Sequence, residues 1–221
     1  MSSEKSSAEN SKKNLHKADF TGADLKEADL SSGVLIGACL IDADLSEADL
    51  CEADISSANF EGAQLHRTLL YRSRGLEANF TRAILTQANL VEANFNSANF
   101  NRANLKESNI EGADLKNVQM KNADLSDTNM TGVYLSNADL SGADFTNSDL
   151  IATDLTNSNL TNANFKNTYM NHANLSGANL QKATNLTQDQ IETTFINKET
   201  LLPKNIPIVW ISDSEYEFRD T

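Results

Sequence analysis

Aromatic residues are scarce in this sequence, at 6% of 221 residues, and the groupings that catalysis requires are missing. The three histidines, His16, His66 and His172, are far apart, so no Ser/His/Asp or Cys/His grouping forms. No glycine-rich phosphate loop is present. The two cysteines do not have the spacing of a zinc site. We therefore expect a protein that is not an enzyme and that uses no cofactor and no metal.

Positive charge is also in deficit, because the formal net charge is −13. An acidic chain does not bind phosphate backbones through charge alone, so direct nucleic-acid binding is not expected. The charge favours either solubility or attraction of a basic protein partner. Residues 1–14 contain no apolar run, which argues against a secretory signal and a membrane span.

What the sequence does contain is an unbroken period of five residues. From Leu15 to Leu180, 33 steps of five pass without an insertion. Nearly every multiple of five is Leu, Phe, Ile or Met, and a small residue, mostly Ala, stands two positions earlier. The other positions are mostly polar. The residue before each large one is usually Asp or Asn, which we interpret as a corner residue that hydrogen-bonds nearby backbone. Regular Asp spacing without converging partners does not indicate a calcium site.

A period of five fits neither common element. On a helix, residues five apart are rotated by about 140°, so the large residues would form no stripe. On a flat strand, an odd step sends successive residues to opposite faces. A chain that runs extended, turns a corner and repeats keeps all of them inside, with coils stacked at about 4.8 Å. Phe60, Phe80 and Phe100 recur at twenty, which indicates four sides per coil with Phe above Phe.

The repeated A-[DN]-[LF]-x-x pattern of residues 15–185 resembles the pentapeptide-repeat family. The resemblance implies an all-β fold, a right-handed quadrilateral parallel β-helix of about eight coils and roughly 40 Å. On such a rod Cys39 and Cys51 lie on opposite sides, so no disulfide is expected. Unpaired thiols favour a reducing compartment, and we expect a cytoplasmic protein.

Both ends depart from the repeat. We predict a flexible leader over 1–14, a helix and cap over 186–212, and a loose tail over 213–221. The N-terminal end shows no cap in the sequence. A homodimer through that uncapped end is therefore a hypothesis.

The C-terminal cap has specific sequence signals. Thr187 and Gln190 form a capping box for a helix that is expected to run from Gln188 to Ile196. Leu186 before the cap and Ile191 four residues after it would form a hydrophobic staple. Trp210 belongs to the apolar segment that is expected to cover the open last coil.

The middle of the repeat is irregular. Gly75 stands where a large residue belongs, so the side is either hollow or bulged to bring Leu76 inward. Phe95, the next residue on that side, is large enough to fill part of the gap. The apolar residues at outward positions appear singly and need no functional explanation; they are Val34, Leu69, Ile84, Tyr134 and Tyr169.

The charge also changes sign in the middle. Residues 16–65 carry a net charge of −9, residues 66–107 +3, and residues 108–180 −5. A candidate interaction patch in the basic stretch consists of Arg67, Tyr71, Arg72, Arg74, Arg82 and Arg102. It would bind a carboxylate or phosphate. The favoured alternative is that these arginines pair along the rod with Glu52, Glu77, Glu92 or Glu107.

Two functions remain open. The first is a non-catalytic interaction scaffold for a protein of unknown identity. The second follows from the resemblance: members of the quinolone-resistance group mimic a DNA duplex and occupy the DNA-binding surface of DNA gyrase. This chain lacks the loop insertions of that group, its middle is basic, and it looks closer to uncharacterised bacterial and cyanobacterial members. We therefore rank the scaffold first, since a fold does not set a function.

Overall fold

The computed structural model describes residues 3–218. Helix α1 (Ser3–Ser11) precedes the repeat and helix α2 (Gln188–Glu192) follows it. Strands β1 (Ile208–Trp210) and β2 (Tyr216–Phe218) form an antiparallel pair near the end of the chain. The repeat between the helices is a solenoid built from single-residue parallel bridges.

Each coil of the solenoid contains twenty residues and has four sides. Parallel bridges join every fifth residue to the residue twenty positions later, from Asp19–Cys39 to Asn164–Thr184. We name the sides face I to face IV. They start with the pentads centred on Leu15, Phe20, Leu25 and Leu30, respectively, and each face continues with every twentieth residue.

Each regular pentad pairs all five of its backbone N–H groups, as the Leu45 pentad illustrates. Two N–H groups donate to the next coil, one closes a turn and one reaches the previous coil. The remaining N–H, of Ser46, donates to Oδ1 of Asp44 at 3.0 Å. Because a buried backbone donor without a partner is costly, the Asp or Asn at this position stabilises every corner that carries it. The prediction that these residues act at corners is confirmed.

The interior is filled by the large and small positions of the repeat, which are buried almost throughout. Phe60 and Phe80 stack with ring centroids 4.7 Å apart, and Phe80 and Phe100 follow at 4.6 Å. These distances match the spacing between coils. The prediction of Phe above Phe is confirmed, and the core is a continuous column rather than a globular cluster.

The position two after each large residue lies in the left-handed region of φ. From Lys17 to Lys182 every such residue has a positive φ, and seven of the nine glycines of the chain are among them. A positive φ at the third residue is the mark of a type II turn, and it favours Gly and Asn. This requirement was not predicted from the sequence.

The space beside Gly75 is filled by a neighbouring side chain, so this side of the coil is neither hollow nor bulged. A Cβ at Gly75 would lie 2.4 Å from two ring atoms of Phe95 and 3.3 Å from Ile55. Leu76 stays half-buried on the outside while Gly75 is buried. Phe95 also meets Phe80 and Phe100 edge to face. The space that a side chain would take at Gly75 is therefore occupied by the Phe95 ring, without an inserted residue.

Within the described residues 3–14, the N-terminal end differs from the expectation of a flexible, uncapped leader over 1–14, of which residues 1 and 2 lie outside the described part. Residues 3–11 form α1, and Ala8 on this helix is fully buried. The Glu9 carboxylate accepts the N–H of Asp29 at 3.0 Å, and the Lys12 carbonyl accepts that of Val34 at 2.7 Å. Helix α1 therefore packs against part of the edge that a homodimer was expected to use, and the homodimer stays a prediction.

The C-terminal cap uses the predicted residues in a shorter helix. Thr187 and Gln190 form the capping box, and Ile191 is fully buried. The helix ends at Glu192, not Ile196, because Phe195 returns to bridge Asn174 on face I.

The tail also differs from the expectation of a loose segment over 213–221. Within the described residues it contains β2, and the Tyr216 hydroxyl lies 3.3 Å from the Ile191 carbonyl, to which it donates. Trp210 packs against the core as predicted. The cap is therefore a helix and a hairpin that close the end of the column together.

Candidate functional site

The predicted arginine patch is not one surface. Arg67 lies on face III and Arg74 on face I, while Arg82 and Arg102 lie on face II. Arg72 and Tyr71 belong to face IV. The stacking of Arg82 and Arg102 in successive coils agrees with the twenty-residue register, but the set as a whole is distributed around the rod.

Most of these arginines pair with acids along the rod axis. Arg72 binds Glu92 at 2.6 Å, as the pairing alternative predicted. Arg74 lies 3.5 Å from Asp54, and Arg82 pairs with Glu61. Arg102 makes no ion pair within residues 3–218. These exposed pairs contribute little to stability, yet they leave little free positive charge at mid-rod.

The net charge of the rod is confined to two neighbouring sides. When each pentad from 13 to 187 is counted with its face, faces I and II each carry four acids and four bases. Face III carries eight acids and four bases, and face IV carries six acids and a single base, Arg72. The acidity of the sequence is therefore a one-sided property of the structure.

Face IV also presents apolar side chains. Leu69 is 40% exposed and Tyr169 is 63% exposed, and both replace the usual Asp or Asn of this face. Tyr71 and Val91 occupy the outward position two residues after that site in successive coils, and both are half-buried. Leu69 was predicted to be an isolated surface residue. Sorting the outward positions by the twenty-residue register would have placed it beside Tyr71.

The cysteines lie on opposite faces and are free, Cys39 on face II and Cys51 on face IV. Burial, followed by the bond to Asp49, raises the pKa of the Cys51 thiol to about 11. The thiol therefore stays protonated at neutral pH and is a poor nucleophile.

The groove beside α2 is polar, and its contacts serve the fold. It is lined in part by Lys166, Tyr169 and Gln190. The Gln190 amide donates to the carbonyls of Phe165 and Thr168 at 3.0 and 2.8 Å. The predicted cap residue thus ties α2 to the last coils.

Other site types have no counterpart in the part of the chain that the structure describes. Residues 3–218 contain no group of three or more His, Cys, Asp or Glu side chains placed to hold a metal ion. The histidines lie on different faces, His16 on I, His66 on III and His172 on IV. No described helix has the length and apolar character to cross a membrane.

Comparisons with known proteins agree on one family. A model of a pentapeptide repeat region matches residues 78–153, and a model of pentapeptide repeats (8 copies) matches 14–46, 34–70 and 148–184. Comparison with curated proteins gave no match.

Two of the solved structures that resemble the rod are HetL and QnrB1. HetL, a pentapeptide repeat protein involved in heterocyst differentiation regulation from the cyanobacterium Nostoc sp. strain PCC 7120, is 31% identical with a TM-score of 0.75, covering 84% of this chain and 81% of HetL. QnrB1, a plasmid-mediated fluoroquinolone resistance protein, is 15% identical with a TM-score of 0.64, covering 85% of this chain and 90% of QnrB1. The second likeness shows the fold alone.

Proposed function

The chain belongs to the pentapeptide-repeat family, and on that basis we propose that it is a non-catalytic scaffold that binds a basic protein through faces III and IV. The observation that carries the proposal is the charge segregation, since these two faces together hold fourteen acids and five bases while the other two are neutral. We place the protein in the cytoplasm as part of the same proposal.

A one-sided field has a physical consequence for recognition. Charged surfaces steer complementary partners and fix their orientation more than they add affinity. A rod with equal charge on all sides would offer no preferred side to a partner. Here the neutral faces I and II leave faces III and IV as the side that a basic surface would approach.

Capture from the source cell with the tagged full-length protein tests this function. The charge variant is Asp49→Asn with Asp149→Asn on face IV, and the matched control is Asp114→Asn with Asp154→Asn on face I. All four residues are corner acceptors, so Asn keeps the corner hydrogen bond and removes only charge.

We expect a basic protein that is retained by the wild type, weakened by the face IV variant and by added salt, and unaffected by the face I control. A partner lost equally with both variants, or no retained protein at all, would refute the proposal.

A second candidate is a DNA mimic that occupies the DNA-binding surface of a protein such as DNA gyrase, which the acidic faces of a rod favour. Charge density weakens it. At twenty residues per coil the ladder from 19 to 184 is roughly 40 Å long. Duplex DNA carries about one negative charge per 1.7 Å, or about 24 over that length. Faces III and IV carry a net −9.

Gyrase supercoiling, measured with and without the protein and with and without a quinolone, decides the second candidate. We expect no change in either condition. Inhibition of supercoiling, or protection from the quinolone, would establish the mimic instead.

A further inference from the structure

Outward apolar residues on face IV form a cluster at mid-rod. Tyr71 and Val91 stack in successive coils, with Cys51 in the coil before them, and Leu69 lies two residues before Tyr71. Leu69 is 40% exposed and the other three are half-buried. We call these four residues the mid-rod patch. Most pentads place a polar or charged residue at these positions, so the patch is a local departure from the repeat.

A second apolar spot lies farther along the same face. Ile151 occupies the stack of Tyr71 four coils later, and Tyr169, 63% exposed, occupies the stack of Leu69 five coils later. We call these two residues the C-terminal patch. Four coils at about 4.8 Å separate the two patches by roughly 19 Å along the axis. Polar residues such as Asn109 and Thr131 lie between them.

The surroundings of the mid-rod patch are negative, whereas the C-terminal patch has one acid of the same face, Asp149, which bridges Tyr169, and Lys166 in the groove that Tyr169 lines. Face IV carries six acids and one base, Arg72, whose charge is engaged by Glu92 at 2.6 Å. The Arg72 guanidinium also lies over the Tyr71 ring, 4.8 Å from its centroid. Tyr and Arg packed together at the centre of a flat surface are the residue types that dominate binding energies at protein interfaces.

The backbone at the mid-rod patch offers a donor as well. In a regular pentad an Asp or Asn side chain takes the N–H two residues later, as Asp49 does for Cys51 at 2.8 Å. Leu69 cannot do this. The Tyr71 N–H accordingly has no hydrogen-bond partner within residues 3–218. The patch therefore combines an apolar surface with a backbone donor.

We propose that face IV is the docking surface for a basic amphipathic α-helix of the partner protein, which lies along the rod with one apolar anchor on each patch. The inference rests on the protein-binding function proposed above. A helix rises 1.5 Å per residue, so about 13 residues span the patches. Lys and Arg flanking its apolar stripe complement the acids of the face, and a flat side accommodates a straight helix.

The probe is a labelled synthetic peptide of about 18 residues with Leu on one helical face and Lys on the other, its two Leu clusters about 13 residues apart. Controls are a scrambled peptide of the same composition and a Lys/Ser peptide of the same charge. Fluorescence anisotropy with the full-length protein measures binding. We expect the amphipathic peptide to bind about tenfold more tightly than either control.

Protein variants locate the site. Leu69→Asn with Tyr71→Thr restores residue types that the same face uses at Asn89 and Thr131, so the coil is preserved. The matched control is Tyr134→Asn, which removes an exposed aromatic from face I. We expect the Leu69→Asn, Tyr71→Thr double variant to lose the tenfold preference and the Tyr134→Asn control to keep it.

Three results would overturn the inference. Equal binding of the amphipathic and Lys/Ser peptides would leave face IV as a charged surface only, with the scaffold function intact. Absence of binding to any peptide would also refute it, and partner capture would then decide the scaffold function separately. A dimer seen by light scattering and dissolved by the face IV variant would identify a second copy of the chain as the occupant.

Discussion

Faces I and IV are neighbouring sides of one rod, and their pentads hydrogen-bond in the same pattern. Outside, face I balances four acids with four bases, whereas face IV has six acids and one base. Inside face I, the Phe95 ring occupies the space that a side chain at Gly75 would take. Inside face IV, five of the small positions are Ser or Thr. The backbone hydrogen bonds therefore set the shape of the rod, while the charge and polarity of the side chains differ from face to face.

The largest expected change in stability concerns the interior of face I. Gly75→Leu restores the regular repeat, yet we expect it to destabilise the protein by about 3 kcal/mol, because overpacking a filled core is costly. A Cβ added at this position would lie 2.4 Å from the Phe95 ring. The midpoint of urea unfolding measures the effect. Combining it with Phe95→Leu should recover most of the loss, and an unchanged midpoint in the single variant would contradict the packing argument.

The next largest effects are expected at two serines, Ser108 and Ser148, which occupy the small inward position of pentads on face IV. Ser148 donates to the Phe145 carbonyl at 2.6 Å, whereas the buried Ser108 hydroxyl has no partner within the described residues. Ser148→Ala should therefore destabilise the protein by about 1 kcal/mol, and Ser108→Ala should stabilise it by about 1 kcal/mol. Thermal unfolding measures both. Shifts of the same sign would show that the hydroxyls do not act through these bonds.

The corners test whether the two faces share a backbone. Ala152 on face IV has φ 54° and Asn157 on face I has φ 56°. Because a non-glycine residue other than Asn or Asp is disfavoured there, Ala152→Gly should stabilise the rod by about 1 kcal/mol. Asn157→Gly should change the unfolding midpoint less. Destabilisation by Ala152→Gly would contradict the assignment of a left-handed corner.

The smallest expected effect concerns the join between α1 and face IV. The Lys12 ammonium, together with Ser31, lowers the pKa of Asp29 from 3.8 to about 2. The folded state favours the carboxylate, so this contribution is present above about pH 4 and is lost as the pH falls towards 2. Asp29→Asn should slightly weaken the dependence of the thermal unfolding midpoint on pH between about pH 4 and pH 2. Adding Lys12→Gln should then change nothing further, and a second independent loss would refute the coupling.

The coiled path was predictable because a chain that turns at regular corners keeps every large residue of a period of five inside. The four sides per coil came from the recurrence of Phe at twenty and from the family resemblance. The stacked phenylalanines and the corner role of Asp and Asn followed from the same spacing. The left-handed corners were missed although the signal was present, since seven of the nine glycines fall at that position. The N-terminal helix gave little signal, because within its residues 4–11 Ala8 alone is fully buried and the composition is polar.

The candidate site was harder to predict because adjacency on a rod is set by steps of twenty. Leu69, Tyr71 and Val91 share a face, yet Arg72 and Arg74, two residues apart, belong to different faces. Local clustering in the sequence therefore grouped arginines that the coil separates. The partners of those arginines also depend on side-chain reach between coils, which spacing alone does not provide.

The twenty-residue register makes the surface sensitive to the size of an insertion rather than to its presence. Losing one pentad would rotate everything beyond it by a quarter turn and split face IV into two strips on different sides. Losing four pentads would shorten the rod by about 4.8 Å and leave the sides aligned. Variants of this protein should therefore tolerate length changes in whole coils. Such changes would alter the distance between the two patches in steps of one coil.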